Sequence, residues 1–131
     1  MITFAEIIKE RLEKNFAEYQ VDIGFKEDYI PGKLPGVLIT PKSQIKDIVS
    51  LNGIGKKVNL IIYFFDQHNP TTSIQEVKAC EEIVKHLEID GEIVAKYIGL
   101  STNLSVSVEK DEEDLNGIFI GTISVNANLR R

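Results

Sequence analysis

The chain has 131 residues, 43% hydrophobic and 27% charged, the balance of one ordinary globular domain. Its 15 basic and 20 acidic residues leave a formal net charge of −5, which argues against gripping phosphate backbones through a basic surface. One cysteine and two histidines exclude an internal disulfide framework and leave little material for a transition-metal centre.

Acids and bases interleave from the first residues, without the basic start and apolar core of a signal peptide. The longest strongly apolar run, residues 58–65, falls far short of the ~20 residues that span a bilayer. Cytoplasmic synthesis and no membrane partner are therefore expected. Residues 3–19 predict the first helix. Thr3 and Glu6 fit a capping box, and Phe4, Ile7, Ile8, Leu12, Phe16 and Tyr19 share one stripe opposite Lys9, Glu10, Arg11, Glu13 and Lys14.

Residues 21–25 predict a short strand. The irregular stretch 26–36 follows, punctuated by Pro31, Gly32, Pro35 and Gly36, because proline fixes φ and lacks an N–H. A second short strand covers 37–40 and ends at Pro41. Residues 42–57 fit neither period, although Ile45, Ile48, Val49, Leu51 and Ile54 are apolar and Asn52-Gly53 signals a turn. We expect an extended arm or hairpin returning into the strand 58–65. That strand is apolar on both faces, as in the middle of a covered sheet.

After the loop 66–72, Ser73 and Glu76 form a second capping box. Ile74, Val77, Cys80, Val84 and Leu87 give the stripe of a helix ending near Glu88. Residues 93–98 fit a helical turn or a short strand. The last third predicts a hairpin: Leu104, Val106 and Val108 alternate with polar residues, and Phe119, Ile123, Val125, Ala127 and Leu129 share a face opposite Thr122, Ser124, Asn126 and Asn128. The expected class is α/β in the α+β sense: a mixed, mainly antiparallel sheet packed by two main helices in one domain, residues 1–131.

No constellation carries recognisable chemistry. Cys80 lies on an apolar stripe, where a buried structural thiol is expected. His86, six residues on, falls about 120° round the helix from it. His68 has only the loop neighbours Asp66 and Asn69. The run Asn52-Gly-Ile-Gly-Lys56-Lys57 lacks the helix that a phosphate-binding loop opens. Asp111, Glu112, Glu113 and Asp114 are consecutive and do not converge as a hard cation requires, so they read as a solvated turn. No catalytic residue, metal or cofactor is expected.

The order of elements does carry a resemblance. The helix 3–19, the segment Leu34-Pro-Gly-Val-Leu-Ile-Thr40, the strand–loop–helix 58–87 and the closing hairpin 104–129 together resemble the tail-terminator (tail-completion) proteins of long-tailed bacteriophages and phage-tail-like particles. The likeness spans nearly the whole chain and is one of layout, without a diagnostic motif. It implies a non-enzymatic structural protein, a hexameric ring that caps the tail tube and offers a surface for joining the head. The implied partners are further copies of the chain, the tail tube protein and a head–tail connector, without specific nucleic-acid binding. The implied location is the bacterial cytoplasm during assembly and then the virion.

No motif transfers, so candidate residues come from the chain itself. Ile45, Ile48, Val49, Leu51 and Ile54 offer apolar area to a neighbouring subunit or the tube, or else fold back on their own sheet. Asp111, Glu112, Glu113 and Asp114 would place acidic charge along a lumen through which DNA passes. A head-side stopper is the nearest alternative. A small α/β enzyme or binding module is the more distant one, and predicts a polar pocket near His68 or His86.

Overall fold

A computed structural model describes residues 4–28, 32–41, 45–50, 53–68, 73–91, 93, 97–109 and 117–129. The first helix, α1, runs Phe4–Asn15 and buries Phe4, Ala5, Ile7, Ile8 and Leu12. It stops four residues short of the expected end. The Asn15 side-chain amide donates to the Arg11 carbonyl at 3.0 Å, and Tyr19 N–H turns back to the Phe16 carbonyl at 3.0 Å. The apolar stripe nevertheless continues through the turn, because the Phe16 and Tyr19 rings stack with centroids 5.0 Å apart. Thr3 of the first expected capping box lies outside the described residues.

Six strands form one sheet: β1 Gln20–Ile23, β2 Gly36–Pro41, β3 Ile45–Ser50, β4 Gly53–Gln67, β5 Tyr97–Glu109 and β6 Ile118–Leu129. The second helix, α2, covers Ser73–Ile89 between β4 and β5. Across the sheet the order is β1-β2-β4-β6-β5, with β3 also paired to β4. Among the described residues only β1 and β2 run parallel, and every other pairing is antiparallel. The expected fold class is what the chain adopts, an α+β domain with a mainly antiparallel sheet under two helices.

β1 ends at Ile23, two residues before the expected end, but most strands run longer than expected. β4 extends the apolar run at both ends, and β5 begins at Tyr97 instead of Leu104. Ladder hydrogen bonds to β6 hold polar residues such as Asn103 and Ser105 in the strand regardless of propensity. Of the two options for residues 93–98, Gly91 and Ile93 are helical and the strand starts at Tyr97. Gly117 enters β6 with φ 76°, a conformation that costs a glycine nothing.

Alternation splits the sheet residues cleanly. Val37, Ile39, Val58, Leu60, Ile62, Phe64, Phe119, Ile123, Val125 and Ala127 face the helices and form the main core with Ile8, Leu12, Ile83 and Leu87. Each large aliphatic or aromatic buried there contributes roughly 1.5–3 kcal/mol. The far face has its own small cluster: Leu38, Phe65 and Ile120, with Leu34, Tyr63 and Ile118 against them. The proline-rich loop supplies Leu34, and the Lys26 ammonium lies 5.5 Å from the Tyr63 ring centroid. This explains the two-sided apolar character of β4. Farther along the same face Thr122, Ser124 and Asn126 are half-buried and Asn128 is exposed.

Candidate functional site

The helix stripe read from the sequence of α2 is rotated in the fold. Ile74 is 69% exposed, while Ile83 is fully buried. Glu76, expected as a capping carboxylate, is buried, and its Oε2 lies 3.1 Å from His68 Nδ1. His68 N–H also donates to the Gly117 carbonyl at 3.1 Å. One histidine thus ties the end of β4 to the first turn of α2 and to the start of β6. Burial raises the Asp66 carboxyl, the Gln67 N–H lowers it, and the neighbouring Glu76 raises it further.

Cys80 and His86, the other groups singled out in the sequence, pack into the fold. Cys80 is fully buried. Burial first, then Glu81 and Glu76, push its thiol up to about 12, which removes the thiolate a nucleophile needs. His86 meets the Phe16 ring edge-on with centroids 5.1 Å apart, so it packs between the helices. Among the described residues no three potential ligands gather for a metal ion. The His68–Glu76 contact is a structural tie, missed in the sequence because the partners come from two elements eight residues apart.

The other candidate surface is the hairpin β3–β4. β2 pairs with residues 60–65 of β4, and β3 pairs with residues 53–57 along the same edge. The β6 ladder on the other edge of β4 ends at Lys57↔Asn128. Ile45 sits across from Lys57 at that last rung, and residues 46–56 pair only with each other among the described residues, as a two-stranded arm running past the body of the sheet. A lone two-stranded hairpin is marginal in water without something to pack against. The arm includes Ile48, Val49 and Ile54 of the expected interface, with Ile45 at its base; Leu51 lies outside the described residues, as do Asp111, Glu112, Glu113 and Asp114. Near the base of the arm, Asn59 carries a buried Oδ1 with no hydrogen-bond partner. No protein-family model matches the chain, and no curated protein matches it either.

Proposed function

We propose that the protein is a tail-terminator ring subunit: a structural, non-enzymatic cap that ends growth of a phage or phage-like tail tube and presents the surface to which the head connector joins. The observation that carries this reading is the two-stranded arm at residues 46–56, which runs past the last β6 rung and bears Ile48, Val49 and Ile54, with Ile45 at its base. An arm of that kind suits burial by a neighbouring subunit or the tube end. The layout of the chain, resembling known terminators from the first helix to the closing hairpin, supports the same reading. The mechanism is occupation: a closed ring bound to the tube end excludes the next tube ring. Closure requires a head-to-tail contact between two different patches of the same subunit.

The test uses the tail tube protein of the particle that this reading implies. Added to polymerising tubes, the protein should fix their length, and deleting its gene should give overlong tails. Tails of normal length after deletion would favour the head-side stopper. Tubes that ignore the protein at every concentration, with no particle visible at their ends, would end the terminator reading.

A further inference from the structure

The outer strands of the sheet each carry exposed apolar residues. Val106 and Val108 on β5 are 50% and 40% exposed, and Ile23 and Phe25 at the end of β1 are 39% and 73% exposed. These strands form opposite edges of one sheet. The registers put them at matching heights: Val21 and Val106 end one transverse row, and Ile23 and Leu104 end the next. All four of those residues alternate onto the helix-covered face.

β5 is also unprotected as an edge. Residues 97–108 contain no charge and no proline, the usual means of keeping an open edge from pairing. A register shift between Ile98 and Ser101 interrupts the ladder near its start, and the rest is regular. Beyond β5 no further strand pairs among the described residues.

We propose that the two edges join copies of this chain, β5 of one subunit receiving β1 of the next so that the sheet continues across the junction. This rests on the ring reading and names the joint of that ring. Direction fits: β1, β2 and β6 run one way and β4 and β5 the other. A neighbour placed side by side in the same orientation therefore brings its β1 antiparallel to β5. Chemistry fits as well. On the helix side those heights set Val106 opposite Val21 and Leu104 opposite Ile23, with Val106 diagonal to Ile23 and Phe25 level with Thr102. On the far side Asp22, the one charged residue of β1, comes opposite Ser and Asn side chains of β5, which donate hydrogen bonds, and no carboxylate opposes it. A two-fold β5–β5 contact would use one patch and leave Ile23 and Phe25 in water, whereas the head-to-tail joint uses both.

Two single-edge variants, Val106→Asp and Phe25→Asp, test this in sedimentation and native mass spectrometry. Both sites are exposed, so circular dichroism and melting curves should match the unchanged protein. Expected are higher oligomers of the unchanged protein at high concentration or on tube ends, monomers of each variant alone, and dimers only when the two variants are mixed. In that mixture one intact β5 edge meets one intact β1 edge and growth stops. Assembly of both variants like the unchanged protein would overturn the joint while leaving tube capping to judge the ring. Loss in Val106→Asp alone would indicate the two-fold contact and also overturn it, as would an unchanged protein that stays monomeric throughout.

Discussion

Cys80 of α2 packs directly over Gly121 of β6. A Cβ added to Gly121 would overlap the Cys80 sulfur, so the glycine lets the helix settle on β6. Gly121→Ala is expected to cost about 1–3 kcal/mol in urea unfolding, the range for overpacking a filled core, and Cys80→Ala in the same chain should restore part of it. Equal stability of Gly121→Ala and the unchanged protein would mean that α2 can slide. The thiol also sets a pH response. Burial lifts Cys80 and Tyr19 to about 12, with nearby acids adding to both, and burial raises Tyr97 as well. Between pH 9 and 12 the unfolded chain releases protons that the folded chain keeps, so this stability, fully present below about pH 9, falls as pH rises. Urea midpoints at pH 8 and 10.5 should differ, with a shallower slope for Cys80→Ala. At pH 8 the native thiol should react with disulfide reagents far more slowly than in urea, because burial keeps it protonated and out of reach.

The arm poses the question at the level of elements. Residues 42–57 were illegible by period because alternation reports a face that is buried against its own chain. An arm with no third strand has no such face to mark. The turn signal Asn52-Gly53 was the usable clue, and Ser50 does lie across from Gly53. In α2 the sequence misled for another reason: hydrophobicity selected Ile74 for the core, while the fold turned Glu76 inward onto His68 and left Ile74 in water. A buried acid paired across elements looks the same in sequence as a solvated one. For the arm the expectation is specific. Ile48→Asp and Val49→Asp, at the irregular part of the β3–β4 ladder, should each change stability by less than about 0.5 kcal/mol, the range for surface substitutions. At least one should abolish oligomers and tube capping. A loss of several kcal/mol instead would place these side chains in the protein's own core and remove the arm from the interface.

At the scale of the molecule, charge and apolar edges act against each other. Every copy carries −5, so bringing copies together is opposed by mutual repulsion, which salt screens with a Debye length of about 10 Å at 0.1 M. If apolar strand edges do the joining, raising salt from about 0.02 to 0.5 M should strengthen assembly, read as a lower midpoint concentration in sedimentation. Binding held by ion pairs would weaken instead. The same acidity predicts no retention on immobilised duplex DNA at physiological salt, since few phosphates would be neutralised.

The sequence by itself determined the class of the fold. Periods of 3.6 and 2 in α1, β4 and β6 follow directly from which side chains must leave water, and that demand is local. It also determined that Cys80 would be an inert core thiol, because an apolar helix stripe leaves no cation to stabilise a thiolate. Only the tertiary structure decided the order β1-β2-β4-β6-β5, the two strands sharing one edge of β4, and the open edges at β1 and β5. Strand pairing is made by backbone groups that every residue carries alike. The choice of neighbour is therefore settled by how the whole chain closes its core, not by any residue within the strand.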